Sequence, residues 1–196
     1  MDLKAKVAII DADFAIKLGR FKRIKLLEEL VPQFIGVVYV HEYVYGNEIL
    51  TPQEVKLQIN ALIVKGHAKV VDRNFVRQNN PDAVVIYDAT QALLYENLPG
   101  TEKYQKNWGE VVSLAFAKAM GVPIFLSDEA KLQGVIDEFL NLDEDYTDYP
   151  GNIQVIRVRD FVDWMKQAGL SRKLGKMVWL ASGYSADVFN NQVWTM

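Results

Sequence analysis

The chain has 196 residues, half of them hydrophobic and 24% charged, with a net charge of −3 and no cysteine. That length buries about two thirds of the unfolded surface and suits one domain with at most an appendage, leaving little room for a second. The balance is that of a folded globular chain and not a disordered one, disulfides and thiolate metal sites are excluded, and a reducing, cytoplasmic setting is expected.

At the N-terminus, four apolar residues (Val7 to Ile10) precede Asp11. They are too few for a secretory or membrane-spanning segment, so no membrane partner is expected; they read as a first strand, buried on both faces and ending at Asp11-Ala12-Asp13. Residues 14–30 carry apolar positions at helical spacing, which predicts one or two amphipathic helices broken near Gly19. Lys17, Arg20, Lys22, Arg23 and Lys25 lie in this stretch with no acid among them. They form either a solvated helix face or, gathered beside Asp11, a path for a nucleic-acid backbone.

Pro32 is expected to end that segment. Residues 34–40 read as a second buried strand with Glu42 just beyond it. Residues 42–50 and 52–65 read as helices, the second opened by Thr51 as N-cap, Pro52 in the first turn and Glu54 as capping-box acid. A short strand over 68–71, a turn at 79–82, a helix over 82–97 and a loop over 98–101 follow.

Residues 107–129, NWGEVVSLAFAKAMGVPIFLSDE, form the most informative stretch. Apolar residues recur at helical spacing, Gly121 and Pro123 stop the helix, and Pro-Ile-Phe-Leu has the length of a buried strand. Glu110 therefore opens a helix, while Asp128 and Glu129 follow a strand. A helix over 130–140, an acidic loop over 143–152, a strand over 153–158 and a helix over 160–168 complete the alternation. That order of elements implies an α/β fold with a parallel sheet and right-handed crossovers. Residues 169–196 read as a C-terminal extension whose Leu170, Leu174, Met177, Val178 and Ala181 form an apolar stripe, to be packed on the domain or on a partner.

In an open α/β sheet ligands bind at the carboxyl ends of the strands. Four segments deliver acids there or at helix starts: Asp11, Glu42, Glu110 and Asp128. Four neighbouring carboxylates raise one another's pKa unless a cation is present, and oxygen-only ligands select Mg²⁺ or Mn²⁺ over zinc. Such a site serves phosphodiester hydrolysis most naturally. His41 is expected to turn away from Glu42, and His67 to sit in a turn. Ser-His-Asp chemistry has little support, and neither common Gly-rich phosphate loop is present.

These motifs resemble those of the PIN-domain nucleases. VAIIDADFAI matches the first motif, VVYVHEYV the second, GEVVSLAFAKAMGVPIFLSDE the third and fourth, and IQVIRVRDFVDWM the closing strand and helix. The resemblance spans about residues 5–168, and the expected PIN-like domain residues 1–168. It implies a three-layer α/β/α sandwich and Mg²⁺- or Mn²⁺-dependent cleavage of single-stranded RNA by Asp11, Glu42, Glu110 and Asp128. It also implies frequent homodimers and, in toxin-like members, a protein inhibitor. Two departures limit the carry-over: Ala12-Asp13 stands where many members have a small hydroxyl residue and asparagine, which makes Asp13 a candidate extra ligand, and the 170–196 tail exceeds the usual domain. In addition Glu129 adjoins Asp128, of which Asp128 is favoured. Under this reading Lys17, Arg20, Lys22 and Arg23 would contact RNA. Two other functions compete: a haloacid-dehalogenase-type phosphatase using Asp11 and Asp13, against which Ala15 stands where that motif wants Thr or Val, and a degenerate domain that binds RNA or protein without cutting.

Overall fold

The computed structural model describes residues 5–98, 107–141 and 152–194. In chain order it contains β1 (Ala5–Ile10), α1 (Ala12–Gly19), α2 (Leu26–Phe34), β2 (Ile35–His41), a π-helical turn (Val44–Glu48), α3 (Gln53–Val64), β3 (Ala68–Val71), α4 (Arg73–Asn79) and α5 (Ala83–Asn97). After these come α6 (Trp108–Met120), β4 (Ile124–Leu126), α7 (Leu132–Phe139), β5 (Gln154–Ile156), α8 (Val158–Gln167), α9 (Arg172–Ala181), α10 (Ala186–Val188) and a second π-helical turn (Phe189–Val193).

The five strands pair in the order β3-β2-β1-β4-β5, all parallel, with Ala5 opposite Ile35 and Ile9 opposite Phe125. Alternation along β1 builds both faces of the sheet. Ala8 and Ile10 join the buried side chains of α1, α2, α3 and α8, whereas Ile9 joins those of α4, α5, α6 and α7. The result is a three-layer α/β/α sandwich. In the first layer Phe161 meets Phe14 and Phe34 edge-on, at centroid distances of 5.7 and 5.2 Å. In the second, Tyr39 and Phe75 both pack on Phe116.

Residues beyond α8 add to the first layer: Val178, Trp179, Phe189 and Val193 are buried in the same cluster as Ile10 and Phe14. The Trp179 indole donates to the Ser185 carbonyl at 2.8 Å, and Gly175 leaves the space that the Trp194 ring fills. No helix among the described residues is long and apolar enough to cross a membrane.

Several local expectations are corrected. Pro32 lies inside α2, which continues to Phe34; the burial of Leu30, Val31 and Phe34 holds the last turn although proline removes one backbone donor. Thr51 does not cap α3. Its N-cap is Pro52, extended at φ −74° and ψ 151°, behind a cis Thr51–Pro52 bond and without a side-chain cap. The helix expected over 42–50 ends at Glu48, and its residues 44–48 wind as a π-helix. An unforeseen α4 starts because Asp72 accepts the Phe75 N–H at 2.7 Å, an N-cap bond. The last strand is shorter than expected and α8 earlier, since Asp160 accepts the Arg157 N–H at 2.9 Å and so starts the helix at Val158. Residues 99–101 of one predicted loop and 143–151 of the acidic loop lie outside the described residues.

Candidate active site

From β1 the chain runs outward through β2 and β3, then returns to place β4 on the other side of β1. The strand order therefore reverses between β1 and β4, and the crevice at their carboxyl ends is where such sheets bind ligands. Asp11 leaves β1 there, and Ser127 and Asp128 leave β4.

Asp11 is 4% exposed. One of its oxygens accepts the Ala12 N–H at 2.7 Å, capping α1, and the other faces the Ser127 hydroxyl at 3.4 Å. Burial holds its carboxyl well above the ordinary 3.8, reinforced by the charges of Glu110 and Glu48, and further by Asp13, with the Ala12 N–H opposing.

Glu48 belongs to the same field. Burial and Glu110 push it up to about 6, against the Gly109 N–H that donates to it. Its carboxylate occupies the space a side chain at position 109 would take, so the glycine before Glu110 makes room for it. Glu110 is raised too, by burial first, with its own backbone N–H opposing and the charges of Glu129 and Asp13 adding to the rise. Asp11, Glu48 and Glu110, from three separate segments, thus form one repelling group with Asp13 and Glu129 around it.

Glu42 is not part of that group: it is exposed at the end of β2, and the charges acting on Asp11 are those of Glu110, Glu48 and Asp13. The second acid of the segment, and not the first, turns inward. The π-helical turn carries Glu48 to the start of α6, and Gly109 was the one signal in the sequence that a bulky group needed space there.

Asp128 reaches the site in a different role. Its side chain is 1% exposed, and Oδ2 accepts from the Lys17 ammonium at 2.8 Å and from the Tyr184 hydroxyl at 2.6 Å. Oδ1 accepts the Val158 N–H at 3.3 Å and lies 3.5 Å from Arg157 Nε. Lys17 also binds Asp13 at 2.6 Å. Burial acts to lower the Lys17 pKa, but its hydrogen bonds to Asp128 and Asp13 prevail and raise it. Asp13 is thereby tied to an ammonium. Glu129 acts on Glu110 while Asp128 belongs to the cationic side, so the two adjacent acids serve opposite halves of the site.

Of the basic run, Lys17 lies within the site. Arg20, Lys22 and Arg23 follow α1 on an exposed, non-helical segment, with Lys22 3.4 Å from Glu54 and Arg20 over the Phe21 ring. His41 is buried and structural: Nδ1 accepts the Tyr43 N–H, so Nε2 carries the proton toward Tyr87 Oη 3.1 Å away, and burial pushes its pKa down to about 4.

Among the described residues no three Asp, Glu or His side chains stand close enough together to hold a metal ion as they are. The acidic half is a field of mutually repelling carboxylates, not a closed ligand shell. Comparison with known protein families, with curated proteins and with solved structures returns no match.

Proposed function

We propose that the protein is an Mg²⁺- or Mn²⁺-dependent endoribonuclease that hydrolyses single-stranded RNA, the activity its resemblance to PIN-domain nucleases implies. One observation supports the reading: Asp11, Glu48 and Glu110 share one field at the sheet's switch point, with their charged forms disfavoured first by burial and then by neighbouring carboxylates. Such a group calls for a cation or for protons. Its donors are all oxygen, which fits a hard divalent ion.

Asp11, Glu48 and Glu110 would have to draw closer together to hold that ion, with Glu129 beside them; when bound it would supply an activated water and neutralise charge on a phosphoryl oxygen. The chain's own groups do the rest. Ala12 and Ser127 fix Asp11, and the Gly109 N–H fixes Glu48. Lys17 and Arg157 put positive charge at the same end of the sheet, where a phosphodiester would be drawn in and oriented.

A second reading is a domain that binds RNA or protein without cutting it. It is favoured by the Lys17 ammonium bridging Asp13 and Asp128, since that leaves these two carboxylates already sharing a cation. Cleavage of an end-labelled single-stranded RNA, with Mn²⁺ and with EDTA, separates the two. Asp11→Asn, Glu48→Gln and Glu110→Gln are each expected to lose about 100-fold or more, while Glu42→Gln stays within a few-fold of wild type. Equal cleavage by all of them would indicate a contaminant and remove the nuclease assignment. RNA binding without metal-dependent cleavage would establish the second reading.

A further inference from the structure

The C-terminal extension reaches back to the site through one residue. Tyr184 follows α9, and its ring lies 4.5 Å from that of Trp179, which is itself buried in the first core layer. From that platform its hydroxyl donates to Asp128 Oδ2 at 2.6 Å and stands 3.4 Å from Arg157 Nη2. The same Oδ2 receives Lys17, whose ammonium continues to Asp13. An unbroken chain of polar contacts therefore runs from Arg157 through Tyr184, Asp128 and Lys17 to Asp13.

We propose that Tyr184 is a positioning residue of the site: its hydroxyl fixes the Asp128 carboxylate and thereby holds the Lys17 ammonium at the carboxyl end of the sheet. The ring and the hydroxyl do separable work. The ring belongs to the packing of the extension with Trp179, whereas the hydroxyl is one of two close donors on Oδ2. Without it Oδ2 keeps Lys17 alone, Arg157 loses its hydroxyl partner, and the carboxylate is free to turn about its Cβ–Cγ bond, since the Oδ1 contacts to Val158 N–H and Arg157 Nε are long, at 3.3 and 3.5 Å. The Lys17 ammonium then has only the half-exposed Asp13 carboxylate as a steady partner. The extension is on this account part of the site, coupled to it through an oxygen and not only through the core.

The consequence for catalysis rests on the nuclease reading, but the geometry can be tested without it. Tyr184→Phe keeps the ring, so the melting temperature and Trp fluorescence should stay close to wild type. Reductive methylation read by mass spectrometry should modify Lys17 several-fold faster in Tyr184→Phe and in Asp128→Asn than in wild type, with the double variant no faster than Asp128→Asn alone. Lys17 labelling at the wild-type rate in Tyr184→Phe would overturn the proposal. Faster Lys17 labelling in the double variant than in Asp128→Asn would also overturn it, because the hydroxyl would then act by another route. If RNA cleavage is present, Tyr184→Phe should lower kcat with KM changed less than two-fold, and an unchanged kcat would equally count against a positioning role. Absence of cleavage in wild type would remove the nuclease assignment while leaving the labelling result to decide this one.

Discussion

Glu48 carries the largest consequence of any single residue in the site. It is pushed from an ordinary 4.5 up to about 6 in the folded state. The folded chain then holds a proton the unfolded one has released, so this stability is fully present below pH 4.5 and is lost as pH rises through about 6. Glu48 is only partly enclosed, and solvent screening reduces the effect to about 1 kcal/mol. Glu48→Gln should therefore raise the melting temperature by about 2–4 °C at pH 7.5 without divalent ions, and by nearly nothing at pH 4.5. Differential scanning fluorimetry at the two pH values checks this, and a lower melting temperature at pH 7.5 would contradict the burial of the carboxylate. The sequence pointed to Asp11 and Glu110 because an acid leaving a strand or opening a helix is visible without coordinates. Glu48 was hidden because its inward turn depends on a π-helical geometry that no residue pattern marks. Asp128 was found at the right strand end, yet its partners Lys17 and Tyr184 lie 111 and 56 residues away in the chain, so its role had no local trace.

At the scale of elements, α6 shows how one position serves two structures. The helix is entered through Asn107 in the left-handed region at φ 64°, a conformation asparagine tolerates better than most residues, and its first turn presents Gly109 and Glu110 together. Within the helix, alanine at 109 is worth up to about 1 kcal/mol more than glycine by propensity. Here, however, its Cβ would collide with the Glu48 carboxylate. Gly109→Ala is thus expected to keep the fold, with melting changed by less than about 3 °C, while losing cleavage to about the extent of Glu48→Gln. A fully active Gly109→Ala would show that Glu48 has no place in the reaction. Buried strands and long helices were legible here because apolar runs and helical spacing are set by the two core layers. Short elements were not: α4 depends on a single cap at Asp72, and the persistence of α2 past Pro32 depends on tertiary burial that outweighs the proline.

On the whole-molecule scale, strand order gathers acids from distant segments, and the same gathering sets how the protein responds to pH. His41 and the acids pull in opposite directions. His41, depressed from 6.5 to about 4, contributes stability that is present above pH 6.5 and lost as pH falls toward 4, up to about 3 kcal/mol. The acids Asp11, Glu48 and Glu110, all raised, contribute stability that is present at low pH and lost as pH rises. In EDTA the loss through His41 as pH falls from 6.5 toward 4 should accordingly be offset by the gain through Glu48 between about pH 6 and 4.5, so the melting temperature should fall less toward acid in wild type than in Glu48→Gln. On the proposed reading a divalent ion would compete with protons for the acids of the folded chain, so its effect should grow with pH. The expected result is that 5 mM Mn²⁺ raises the melting temperature at pH 7.5 by several degrees, roughly what a ten- to hundred-fold excess over Kd confers, and much less at pH 5.5. Asp11→Asn and Glu48→Gln should abolish that rise, whereas Glu42→Gln, whose side chain faces solvent, should retain it. Asp128→Asn should retain it as well, because that carboxylate is already answered by Lys17, Tyr184 and Arg157. A rise that Glu42→Gln abolishes and Glu48→Gln leaves intact would return the site to the arrangement the motifs alone suggest, and an Mn²⁺ effect independent of pH would mean that the ion binds somewhere other than the crevice between β1 and β4.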